Sequence, residues 1–128
     1  MSRGCVLDAS ALLCLLRDEP GSEAVAAVMP NAVISAVNLS EAVAKLAEVG
    51  MNAADIDQTL APLQLKVLAF DQDAAIAAGL LRPATRSVGL SFGDRACIAL
   101  ANKLGGEAVT TDRAWARLDV GVVIKLAR

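Results

Sequence analysis

The chain contains no histidine and no tyrosine. Imidazole acid/base chemistry and a nucleophilic triad of the serine–histidine type are therefore excluded, and any catalysis must use carboxylates, lysine, cysteine, hydroxyls or water activated by a metal. Aromatic side chains are nearly absent: only Phe70, Phe92 and Trp115 are present, so the core must be built from Ala, Val, Leu and Ile. Cysteine is sparse as well. Cys5, Cys14 and Cys97 each lie in an apolar segment, and their odd number without paired spacing argues against a disulfide framework and against a zinc site. The compartment this points to is a reducing cytoplasm. No stretch approaches the length of a membrane span, so no membrane association is expected. Arg3 precedes an apolar run in the manner of a secretion signal, but Asp8 interrupts that run and no small-residue cleavage site follows.

With 128 residues, 55% hydrophobic and 20% charged, the sequence reads as one globular domain over 1–128 that buries roughly two-thirds of its unfolded surface. The net charge of −2 looks wrong for a nucleic-acid partner. If four acids are reserved for a metal site the remainder is mildly basic, so charge neither excludes RNA nor argues for it.

Strand and helix signals alternate along the whole chain. Cys5-Val6-Leu7 is an apolar run that stops on Asp8 and passes through Ser10 into the apolar segment Ala11 to Leu16, a strand turning directly into a helix. A short helix over Ser22 to Met29 precedes a strand at Ala32-Val33-Ile34. Ser35 or Asn38 caps a helix that runs to Val49. Asn52 caps the next, with Ile56, Leu60 and Leu63 on one face, before a third strand at Lys66 to Phe70. Asp71 caps Gln72 to Leu81, which Pro83 ends. Arg82 to Leu90 is the least regular stretch, Ser91 opens a helix over Phe92 to Leu104, Glu107 to Thr110 is a fourth strand, and Val120 to Ile124 is a fifth. The expected architecture is α/β: a three-layer α/β/α sandwich on a mostly parallel central sheet.

Four acids share one edge of such a sheet. Asp8 and Asp112 follow the carboxyl ends of short strands, and Glu41 and Asp94 lie in the first turns of helices that begin at that edge, where α/β proteins bind ligands. Crowded carboxylates repel unless a cation lies between them, and an oxygen-only donor set suits Mg²⁺ or Mn²⁺. At least one of the four is then expected to titrate above its ordinary range. Ser10, Asn38, Thr110 and Thr111 are near enough in sequence to add neutral oxygens or orient water. Each acid also has an ordinary structural role open to it. Asp8 can cap the first helix, Glu41 can close a capping box with Asn38 or pair with Lys45, Asp94 can close a box with Ser91, and Asp112 can be a turn residue.

The ordered set resembles the PIN domain, and within it the VapC-type toxins of toxin–antitoxin pairs. The pieces that carry the resemblance are Val6-Leu7-Asp8-Ala9-Ser10, Asn38-Leu39-Ser40-Glu41, Leu90-Ser91-Phe92-Gly93-Asp94 and Thr110-Thr111-Asp112-Arg113-Ala114-Trp115. It implies a PIN-like fold and a metal-dependent ribonuclease using Mg²⁺ or Mn²⁺. The acidic quartet is Asp8, Glu41, Asp94 and Asp112, with Thr110 as a polar helper. It also implies a homodimer and a cognate VapB-type antitoxin. Candidate RNA contacts are Arg82, Arg86, Arg95 and Arg113.

Two other readings remain open at this level. A phosphoaspartate protein also places an Asp after its first strand, although Ser10 stands where the phosphatases carry a second acid. A non-catalytic interaction module would use the acids only as caps. The first helix and the helix from Asn38 to Val49 carry more apolar surface than one sheet face needs, and that excess is expected to be covered by a second copy or an antitoxin segment.

Overall fold

A strand flanked by neighbours on both edges and helices on both faces has no solvent-exposed side, and β1 (Cys5–Leu7) is buried at every residue. The computed structural model describes residues 4–128, so Arg3 and the charged lead-in read from it lie outside the described residues. β1 is joined in one sheet by β2 (Ala32–Ser35), β3 (Lys66–Leu68), β4 (Glu107–Thr110) and β5 (Val123–Leu126). The strand order is β3-β2-β1-β4-β5 and every neighbouring pair is parallel.

Alternation along β1 divides the core in two. Cys5 and Leu7 pack with Ile34 and Val109 against α1 (Ala9–Leu16), α2 (Ser22–Val28), α3 (Ala36–Glu48) and α4 (Ala53–Leu60). Val6 and Ala108 face the other way, onto Cys97, Ile98 and Ala101 of α7 (Phe92–Leu104) and onto Trp115. This is the three-layer sandwich the alternating pattern predicts. α5 (Gln72–Leu80) packs on α7, and the single-turn α6 (Arg82–Thr85) follows it. All three cysteines are buried and unpaired.

Several boundaries differ from the sequence reading, for local reasons. The fifth strand begins at Val123 rather than Val120, because Gly121 takes φ 73 and breaks the extended run. The third strand ends at Leu68, and Phe70 turns away to meet Phe92 edge-on at 5.4 Å. The irregular stretch contains α6, and Pro83 sits in its first turn, where a missing N–H leaves nothing unpaired. Ser35, not Asn38, caps α3: its hydroxyl accepts from Val37 N at 3.2 Å.

The expected apolar excess is absent from the first helix, while the helix expected to run to Val49 leaves that residue 70% exposed. Ala11, Leu12, Leu13 and Cys14 of α1 are buried within the chain itself. More of the excess lies on α5, which buries only Ala78 and leaves Ile76 and Leu80 at 53% and 75% exposure.

Candidate active site

Parallel strands all end at one rim, and the chain changes direction across the sheet between β2 and β4, on either side of β1. Asp8 stands at that switch point. Its backbone N–H continues the sheet by donating to Val109 O at 3.1 Å, and its side chain caps α1 by accepting from Ala11 N at 2.8 Å. Two hydroxyls complete its shell: Ser10 donates to Oδ1 at 2.7 Å and Thr110, at the end of β4, donates to Oδ2 at 2.5 Å. Each hydroxyl also receives a backbone N–H from the loop that follows β4, Thr111 N on Ser10 at 3.0 Å and Asp112 N on Thr110 at 3.0 Å.

Asp112 begins the short 3₁₀ helix Arg113–Arg117, its carboxylate accepting from Ala114 N at 3.0 Å. That turn drives Trp115 fully into the second core. Truncation of a tryptophan buried in this way typically costs about 3–5 kcal/mol, so Trp115 anchors the loop that carries Asp112.

From the opposite side come Asp94 and Glu41. Ser91 and Asp94 form a reciprocal capping box at the start of α7, with Ser91 Oγ accepting from Asp94 N at 3.1 Å and Asp94 Oδ2 accepting from Ser91 N at 3.0 Å. Glu41 projects from α3 toward the same helix start. Asn38, 1% exposed, donates from Nδ2 to Glu41 Oε1 at 2.9 Å and to Gly93 O at 2.9 Å. The reverse amide orientation would set Oδ1 against two acceptors, so this assignment is the one that pairs. The Asn38–Glu41 spacing is thus used, but as a side-chain clamp inside the helix and not as a capping box.

The four acids line one cavity of about 240 Å³ together with Ala9, Ser10, Leu13 and Lys45. Burial pushes the Asp8 carboxyl up to about 6, against the lowering effect of its Thr110, Ser10 and Ala11 hydrogen bonds, and the Asp94 charge adds to the rise. Burial likewise raises Glu41, opposed by Asn38 and assisted by Asp94. The expected upward shift is present, and burial, more than mutual repulsion, is its main cause. Cys97 lies beneath: burial and the charges of Asp8, Asp94 and Glu41 hold its thiol well above the ordinary range, so it is a core group and not a nucleophile. A larger recess of about 480 Å³ between α5 and α7 is lined mostly by Ala and Leu and holds none of the four acids.

The PIN-domain family model matches residues 5–121. The chain belongs to the PIN family. No curated protein matches the sequence. Among solved structures, it is similar to a toxin–antitoxin complex from Klebsiella pneumoniae, with 21% identity, a TM-score of 0.73, and coverage of 94% of this chain and 96% of that one. VapBC2 from Rickettsia felis, bound to a DNA fragment from its promoter, matches at 16% identity, TM-score 0.73 and the same coverage of 94% and 96%. DNA-bound VapBC from Salmonella typhimurium matches at 22% identity and TM-score 0.69 over 100% of both chains. At these identities the likeness is one of fold.

On this PIN fold the candidate arginines fare differently. Arg82 and Arg86 are exposed on the stretch before α7. Arg113 is exposed beside Asp112, its Nε donating to Arg128 O at 3.4 Å. Arg95 instead donates from Nη1 to Ala78 O at 3.1 Å and ties α7 to the end of α5, a packing role. Lys45 is the cavity-lining residue that sequence reasoning missed as a site group. Its i+4 spacing from Glu41 was the available signal, although its ion pair is with Glu48 at 3.7 Å.

Among the described residues no three of His, Cys, Asp or Glu stand close enough together to hold an ion directly. The donor chemistry nevertheless fits Mg²⁺ or Mn²⁺. Mg²⁺ keeps most of its water and is commonly bound through only one or two carboxylates, and a cavity of about 240 Å³ bordered by four of them has room for a hydrated ion. Among the described residues no helix is long and apolar enough to cross a membrane.

Proposed function

We propose that this PIN domain is a Mg²⁺- or Mn²⁺-dependent endoribonuclease, the VapC-type toxin of a toxin–antitoxin pair. In this reading it acts in the cytoplasm as a homodimer, with a VapB-type antitoxin as partner. The observation that carries the nuclease reading is the convergence of Asp8, Glu41, Asp94 and Asp112 on one cavity at the sheet's switch point, in a chain without histidine. The toxin reading draws on the fold shared with the toxin–antitoxin complexes.

A bound divalent cation would supply charge neutralisation at the scissile phosphate and a water of lowered pKa. The chain's own groups prepare the site for it. Asp8, Asp94 and Asp112 are oriented by helix-start hydrogen bonds, so their carboxylates hold position before any ion arrives. Glu41 has Oε1 occupied by Asn38, and Oε2 has no donor among the described residues, which leaves it open to an ion or to a proton from the attacking water. Lys45, Arg113, Arg82 and Arg86 are the cations available to RNA phosphates.

A phosphoaspartate reading fits less well, because Ser10 stands where the phosphatases carry a second acid. For the proposed homodimer, the α5 face is the surface that a second copy would cover. A helix that is apolar all round belongs in an interior, and α5 exposes Ile76 and Leu80 among small residues with no charge between them. A second copy related by a twofold axis would cover that apolar surface with the same residues from its own α5.

Purified protein incubated with a mixed RNA pool tests the activity. Cleavage with Mg²⁺ or Mn²⁺, none in chelator, and none by Asp8→Asn is the expected result; equal cleavage in excess chelator would defeat the proposal.

A further inference from the structure

Glu41 is the one acid of the four that no backbone group fixes. Asp8, Asp94 and Asp112 each accept a main-chain N–H at the start of a helix, whereas Glu41 sits within α3 on a long, flexible side chain. Its place comes from two contacts. One is the Asn38 amide, which bridges Glu41 Oε1 and Gly93 O. The other is the empty side-chain position of Gly93, on α7: a Cβ there would overlap both carboxylate oxygens and the carboxyl carbon of Glu41.

The backbone at Gly93 does not call for glycine. It lies in the first turn of a regular helix and is not among the positive-φ residues, and inside a helix glycine is less favourable than alanine. The cost is tolerated for space, and the group that fills the space is the Glu41 carboxylate.

We propose that Gly93 and Asn38 are positioning residues for Glu41: the glycine is the seat and the asparagine the latch that hold its carboxylate beside Asp94 in the cation site. This deepens the nuclease reading and rests on it. A specific signature follows. The group displaced by a Cβ at Gly93 is the free end of a flexible side chain, so the fold accommodates alanine and only the carboxylate moves away.

The test compares wild type, Gly93→Ala, Asn38→Ala, Glu41→Ala and both double variants with Glu41→Ala. The readouts are Mn²⁺ titration followed by electron paramagnetic resonance of the free ion, RNA cleavage, and thermal melting in chelator. Gly93→Ala is expected to melt at or above the wild-type temperature, to bind Mn²⁺ at least tenfold more weakly, and to lose kcat with little change in KM. In the Glu41→Ala background neither Gly93→Ala nor Asn38→Ala should add any further loss, because the group each positions is gone. Gly93→Ala that binds Mn²⁺ and cleaves like wild type, that melts well below it, or whose effect multiplies with Glu41→Ala would overturn the positioning. A wild type that neither binds Mn²⁺ nor cleaves RNA would overturn the nuclease reading and this one with it.

Discussion

The Thr110 hydroxyl donates to Asp8 Oδ2 at 2.5 Å across 102 positions of sequence, and Thr110 Oγ1 itself accepts the backbone N–H of Asp112 at 3.0 Å. One hydroxyl thus fixes the acid at the end of β1 and sets the start of the loop that presents another. Thr110→Val keeps the shape and removes both bonds. Leaving a buried carboxylate oxygen and an N–H without partners costs about 1–3 kcal/mol. Urea unfolding should show a loss of that size, with RNA cleavage reduced tenfold or more, and Thr110→Ser should restore both. A Thr110→Val protein as stable and active as wild type would show that the hydroxyl is incidental.

Asp8 also makes stability depend on pH. Its carboxyl titrates at about 6 in the folded chain against 3.8 ordinarily, so between those values the folded form binds more protons than the unfolded one. The associated stability is complete below the unfolded pKa and is lost as pH rises through the folded one. By pH 8 the loss is on the order of 2–3 kcal/mol in metal-free protein. Asp8→Asn keeps a capping acceptor and removes the titration, so urea midpoints in chelator should find it the more stable of the two above about pH 7, with the gap closing toward pH 4. A constant difference between the two proteins across that range would contradict the shift.

For the α5 face the expected behaviour is a change of assembly without loss of fold. Ile76→Glu or Leu80→Glu places a charge on a surface that is already half exposed or more, so each chain should fold. Sedimentation is expected to show a dimer for wild type and a monomer for each variant. Wild type and variants sedimenting alike would leave α5 without a second copy against it.

Much of the sheet was legible because β1, β2 and β4 are short runs that end at or just before a polar residue that caps the next helix, as Asp8, Ser35 and Asp112 do. Asn52, Asp71 and Ser91 cap where their residue types say they should. The rim was legible for the same reason: a carboxylate after a parallel strand, or at the start of a helix that runs back antiparallel to the strands, lies at the carboxyl edge. What was not legible is that the capping acids also face one cavity. Asp8, Asp94 and Asp112 each take part in a helix cap and line the cavity, so capping does not stand against the proposed cation role. Gly93 was equally opaque, since the carboxylate it admits lies on another helix and no local pattern links them. The apolar excess expected on α1 was misplaced because that helix reads as exposed until α2 and α3 are packed over it.

Central to the account is that the four acids form a divalent-cation site, and melting reads this without the right RNA. At pH 8, Mn²⁺ at a hundredfold excess over its Kd should stabilise wild type by about 2.7 kcal/mol, a rise of several degrees over the chelator melt. Asp94→Asn can still accept from Ser91 N, so it should fold, yet lose most of that rise. Wild type and Asp94→Asn melting at the same temperature with Mn²⁺ as with chelator would contradict the site and leave the acids as helix caps alone.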